Sequence, residues 1–152
     1  MREVCLLIGR GGAILWSDAS TSPVALLDSR ARWEAIWTHR EELEEIVHSH
    51  PVGPLGFSAE DESTMAALCA ALSKWPRFWV VAPGGSVLRS YQRPLSDAPA
   101  AEEEDFSPPH FEDQVIREDS GQEPFWAALL RLASGMKEAG DWERTALGSH
   151  DD

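Results

Sequence analysis

Two histidines separated by a single residue, His48 and His50, are followed after a gap of seven residues by Ser58-Ala59-Glu60-Asp61. On an extended strand, residues i and i+2 point to the same side, so both imidazoles can aim at one point. An acid in the first turn of a following helix reaches that point if the loop between them doubles back. Two imidazoles and one carboxylate suit zinc, and three protein ligands leave a fourth position for water. Zinc lowers the pKa of such a water from ~15.7 to about 7, which makes hydrolysis feasible at neutral pH. Ser58, three residues before Asp61, would stand beside the metal and can donate a hydrogen bond to a developing oxyanion. Hydrolysis also needs a proton acceptor, which must come from elsewhere in the chain.

The elements that would carry these residues are legible in outline. Val4–Ile8 and Ala13–Trp16 are short apolar runs around a Gly-rich turn and predict a hairpin. Pro23–Leu27 suits a further strand. Ser29 can cap a helix that places Trp33, Ile36 and Trp37 on one face, with Arg32, Glu34, Arg40 and Glu41 turned away. That aromatic face is expected in the core. Leu43–His48 predicts a strand that delivers His48 at its end. Pro51–Phe57 holds two Pro and two Gly and must be a loop. Ser58 then caps a helix with acids in its first turn, apolar at Met65, Leu68, Cys69 and Leu72, and ended by Pro76. Phe78–Ala82 and Val87–Tyr91 flank Pro83-Gly84-Gly85 as a second hairpin. This order predicts a mixed α/β or α+β domain built around one sheet.

Beyond Pro94 the composition changes. Residues 1–93 carry 11 acidic and 9 basic side chains, whereas residues 94–152 carry 15 and 4. The first part is expected to be the folded domain (1–93) and the stretch 94–123 an acidic, Pro-rich linker, with Ala98–Pro109 unable to bury much. Residues 124–138 predict an amphipathic helix opened by Pro124 and closed near Gly135, with Phe125, Trp126, Leu129, Leu130 and Leu132 apolar; 124–152 is then a helix and tail. The acidic run Glu102–Asp105 is read as solvated, and His39, His110 and His150 as surface residues. A net charge of −13 argues against nucleic acid and anionic membrane surfaces. No apolar run approaches the roughly 20 residues a membrane helix needs, and no signal-length apolar region is seen. Cys5 and Cys69 sit in apolar stretches outside any Cys-x-x-Cys pair, which suits free thiols in the cytoplasm.

His48-x-His50-Pro51, seven residues and then Ser58-x-x-Asp61 resembles the signature of the JAMM/MPN+ (JAB-domain) zinc metalloproteases, small bacterial type. Glu3-Val4-Cys5-Leu6-Leu7-Ile8-Gly9 looks like that family's early strand, which begins with a glutamate and ends in glycine, although Leu6 stands where a glycine is usual. The resemblance covers roughly residues 3–91. It implies a curved mixed sheet flanked by helices, zinc on His48, His50 and Asp61, Glu3 as general acid/base, and Ser58 as support for the tetrahedral intermediate. The implied reaction is cleavage of an isopeptide or peptide bond after the C-terminus of a ubiquitin-like protein. That means deconjugation from a target lysine, or trimming of a ubiquitin-like or sulfur-carrier precursor to expose Gly-Gly. E1- or E2-like proteins are then expected partners. A non-catalytic binding scaffold, as some relatives are, would lack a ligand, and none is missing. Short loops after His50 and Asp61 argue against linkage-specific deubiquitination. In that family a helix usually precedes the glutamate; either a start further upstream supplies it, or the 124–138 helix packs in its place.

Overall fold

Strand β1 (Val4–Gly9) is apolar throughout, the pattern of a strand covered on both faces, and every one of its residues is buried. In the computed structural model, which describes residues 2–19, 30–92 and 110–136, it lies inside a six-stranded sheet. The other elements are β2 (Ile14–Ala19), α1 (Arg30–Thr38), β3 (Leu43–Ser49), α2 (Ala59–Leu72), β4 (Arg77–Ala82), β5 (Gly85–Tyr91), β6 (Phe111–Arg117) and α3 (Phe125–Ser134). The strand order is β2-β1-β3-β4-β5-β6, with only β3 and β4 parallel. The fold is mixed α/β, as expected.

Alternation along the strands creates two cores. Cys5, Leu7, Ile46 and Phe78 face α1 and α2, packing on Ala35, Ile36, Met65, Leu68 and Cys69. Val4, Leu6, Ile8, Val47, Trp79 and Val81 face α3, packing on Trp126, Ala127 and Leu130. Trp79 and Trp126 meet edge to face with ring centroids 5.0 Å apart. The sheet is therefore sandwiched between two helical layers, and α3 is part of the same body as the strands.

Several expectations are corrected. Phe111–Arg117, inside the stretch read as a linker, is the edge strand β6 and pairs with β5 from Gly85↔Arg117 to Tyr91↔Phe111. It looked unstructured because an edge strand buries little, and here only Ile116 is buried. On α1 the buried face is Arg32, Ala35 and Ile36, while Trp33 and Trp37 are exposed. Small Ala35 fits against the sheet where an indole would not, and Arg32 lies 3.7 Å from Asp18 of β2. Trp37 is instead covered by the Arg40 guanidinium, 4.2 Å above its ring. On α3, Phe125, Leu129 and Leu132 are exposed. Helix α2 ends at Leu72 with Ser73 in the left-handed region, before Pro76 is reached. Pro23–Leu27, Ser29, Ala98–Pro109, Glu102–Asp105, His150 and residues 137–138 of the expected last helix lie outside the described residues, and α3 itself ends at Ser134 with Gly135 in the left-handed region. Among those described, no helix is long and apolar enough to cross a membrane.

Two ion-pair clusters, each centred on an arginine with little exposed side chain, tie the layers together. Arg131 of α3 binds Glu123 at 2.6 and 2.8 Å and the carbonyls of Ala82 and Gly85 at the β4–β5 turn. Glu123 also accepts from the buried Ser86 hydroxyl. Arg89 of β5 binds Asp113 of β6 at 2.7 and 2.8 Å and pairs with Glu62 of α2, while lying between the rings of Phe57 and Phe111.

Removing the indole of the buried Trp126 leaves a large cavity, so Trp126→Ala should cost about 3–5 kcal/mol in urea unfolding, with an unchanged m-value. Burial alone would raise the Glu123 pKa, but Arg131 and Ser86 outweigh it and hold it below the ordinary glutamate value. A depressed folded pKa gives stability that is complete above the unfolded value and lost as pH falls through the folded one. Glu123→Gln should accordingly cost about 2 kcal/mol at pH 7. The gap to the parent should narrow as pH drops below the usual glutamate range, as followed by thermal melts across pH.

Candidate metal centre

The β3–α2–β4 unit makes the site almost unavoidable. Parallel strands β3 and β4 require a crossover, and α2 supplies it, so the N-terminus of α2 returns to the C-terminal end of β3. In open α/β sheets that end of a parallel pair is where ligands bind. His48 lies on β3 opposite Cys5, on the α2 side of the sheet. His50 follows the last strand residue and still donates its backbone N–H to the Val81 carbonyl at 2.8 Å, so the extended course persists to residue 50. The two imidazole rings have centroids 4.9 Å apart.

Asp61 arrives from the first turn of α2, held by a reciprocal cap. The Ser58 hydroxyl accepts the Asp61 backbone N–H at 3.0 Å, and Asp61 Oδ2 accepts the Ser58 N–H at 2.8 Å. Oδ1 lies 3.2 Å from His48 Nε2 and Oδ2 3.3 Å from His50 Nε2. His48 Nε2 makes no aligned hydrogen bond despite being buried, so it and the carboxylate converge on a shared point. The ligand atoms of the three residues all lie within 4.8 Å of one another, and Asp61, His48 and His50 are only 4, 8 and 9 % exposed. This buried group could bind a metal ion.

The loop fixes the tautomer. Gly53, at φ +83°, turns the chain so that the Pro54 carbonyl lies 3.0 Å from His50 Nδ1. An Nδ1–H donated there leaves Nε2, on the Asp61 side, as the nitrogen that could take a metal, the usual support behind a ligating imidazole. Burial would lower the His50 pKa, but Asp61, the Pro54 carbonyl and the charge of Glu3 outweigh it and raise it. Burial would likewise raise the Asp61 pKa; the two imidazoles and the Ser58 N–H instead hold it far below the usual carboxylate range.

Of the expected site residues, the fold brings His48, His50 and Asp61 together, with Ser58 hydrogen-bonded to Asp61. Glu3 is not among the three converging residues. It precedes β1, two positions from Cys5 and hence on the same side as the imidazoles, and its charge is felt at His50. Sequence reasoning missed Pro54 and Ser49. Ser49, the buried residue between the two histidines in sequence, accepts the Val4 N–H on its hydroxyl at 2.9 Å. The signal for Pro54 was present in the Gly53-Pro54 pair, whose only sequence-level meaning was a turn. Cys5 and Cys69 are free, and burial pushes both thiols up to about 11. No family model matches the chain, and no curated protein matches it.

Replacing Asp61 or either histidine by Ala should weaken zinc or cobalt binding by more than the roughly 10–100-fold typical of an outer-shell partner, as read by chelator competition. A proton on His50 competes with the metal for Nε2. Affinity should therefore decline as pH falls through the raised His50 pKa, with protons released on binding.

Proposed function

We propose that the chain is a zinc-dependent peptidase of the JAMM/MPN+ type, cutting the amide bond after the C-terminus of a ubiquitin-like protein, chiefly to release it from a target lysine. The observation that carries this reading is the convergence of two Nε2 atoms and the Asp61 carboxylate at a buried point, with the Ser58 hydroxyl bonded to the Asp61 backbone and the charge of Glu3 felt at His50. The donor set of two imidazoles and one carboxylate, and the buried His48 Nε2 without an aligned partner, both suit zinc.

Zinc held by His48, His50 and Asp61 would supply Lewis acidity and a water made acidic enough to attack near neutral pH. Glu3, beside His50, takes up the proton of the attacking water and delivers it to the leaving amine. Ser58 spends an oxygen lone pair on the Asp61 N–H, so its own hydrogen is left to donate to the carbonyl oxygen as charge builds there. Pro54 keeps His50 in the ligating tautomer. The two high-pKa thiols suit a reducing cytoplasm.

Two fluorogenic probes test the reading: a Gly-Gly-terminated peptide on the ε-amine of a lysine, and the same peptide extended through its main chain. Cleavage of the first supports deconjugation; cleavage of the second alone would favour precursor processing. Glu3→Gln should keep one zinc per chain while kcat falls by about 10²–10⁴. Near-normal turnover by that variant would refute the role of Glu3.

A further inference from the structure

Glu3 belongs to no regular element, yet the proposed chemistry needs its carboxylate at a fixed distance from the imidazoles. The β1–β3 ladder is registered only from Cys5↔His48 inward. Past that pair β3 follows its other neighbour, since Ser49 is in register with Val81 of β4 and His50 N–H donates to the Val81 carbonyl. The end of β1, in register with Ala19 of β2 on one side, would be left without a partner on its β3 side, next to the position that carries Glu3. The Ser49 hydroxyl fills the opening by accepting the Val4 N–H at 2.9 Å. Both residues are buried, Ser49 at 0 % and Val4 at 4 % exposure, so water is no substitute acceptor. By alternation the Ser49 side chain points to the α3 face, opposite the imidazoles, and cannot act on substrate itself.

Glu3 is held from its other side as well. The Arg2 N–H donates to the Ser134 carbonyl at 2.9 Å, and Arg2 Nε to the Ala133 carbonyl at 2.9 Å. These carbonyls end α3, where the helix dipole favours a cation. The backbone is thus anchored at residues 2 and 4.

We propose that Ser49 is a positioning residue for Glu3: its hydroxyl extends the β1–β3 pairing by one residue and so fixes where the Glu3 carboxylate stands relative to the metal ligands. The inference rests on the reading of Glu3 as the proton acceptor.

The test compares the full-length parent chain with Ser49→Ala, Ser49→Thr and Ser49→Cys. Three quantities are measured: zinc affinity, residue-resolved exchange of the Val4 amide in the metal-free protein, and kcat and KM on the lysine-linked probe. In Ser49→Ala, zinc affinity should stay within about threefold and the Val4 amide should exchange at least about tenfold faster. In the same variant kcat should fall about 100-fold at unchanged KM, the scale expected of a reacting group displaced by about 1 Å. Ser49→Thr keeps the acceptor and should restore both exchange and kcat. Ser49→Cys, a weaker acceptor of similar size, should be intermediate in both and serves if the Ala variant does not fold. An unchanged Val4 amide or parental kcat in Ser49→Ala would overturn the proposal. So would zinc affinity falling in step with kcat, since Ser49 would then support the ligands rather than Glu3. A zinc-loaded parent that cleaves neither probe, or Glu3→Gln at the parental rate, removes the catalytic reading and the positioning role with it, whatever the Val4 amide does.

Discussion

An aspartate that is 4 % exposed has lost nearly all of its hydration, and the site is organised around making that tolerable. A buried carboxylate without partners would take up a proton or destabilise the fold. Asp61 instead receives the Ser58 N–H, sits in the positive first turn of α2, and faces two imidazole Nε2 atoms. Each of these partners exists only because of where an element begins or ends. The cap needs α2 to start at Ser58, and the imidazoles need β3 to stay extended through His50. A divalent cation at the convergence point would complete the compensation, because the buried His48 Nε2 has no aligned hydrogen-bond partner there.

The surroundings follow from holding those two element ends in place. Strand β3 is gripped from both sides, by β1 and by β4. Helix α2 is pinned beyond Asp61 by Glu62, which meets Arg89 in a cluster that also contains Asp113 of the edge strand and the rings of Phe57 and Phe111. Phe57 immediately precedes the capping serine and stands 6.4 Å from the His48 ring, so one cluster steadies the loop, the helix start and the outer strands together. Such a network is costly to half-satisfy, which explains its density of partners.

The opposite face has a different task. Helix α3 closes the second core through Trp126, Ala127 and Leu130, and its terminal carbonyls receive Arg2. The helix thereby joins packing to the placement of the segment that carries Glu3. Its outward side is apolar at Phe125, Leu129 and Leu132, so the same ten residues show two apolar stripes, of which the sheet takes only one.

The sequence alone determined whatever depends on neighbours along the chain. His-x-His at strand period, Ser-x-x-Asp at a helix start, and glycine-rich turns between apolar runs are local patterns, and the three converging side chains, the capping serine and most of the sheet were read from them. The positions that needed tertiary structure are those where local periodicity offers more than one answer. On α1, stripes through Trp33 or through Arg32 both satisfy the helical repeat; the choice went to the face whose small Ala35 fits the sheet and whose arginine meets Asp18 on a distant strand. Strand β6 carries almost no burial signal of its own and exists because β5 presents an edge to pair with. The links from Ser49 to Val4 and from Arg2 to the end of α3 span 45 and about 130 residues. No spacing in the chain announces such links, because a hydrogen bond closed by the fold leaves no repeat in the sequence.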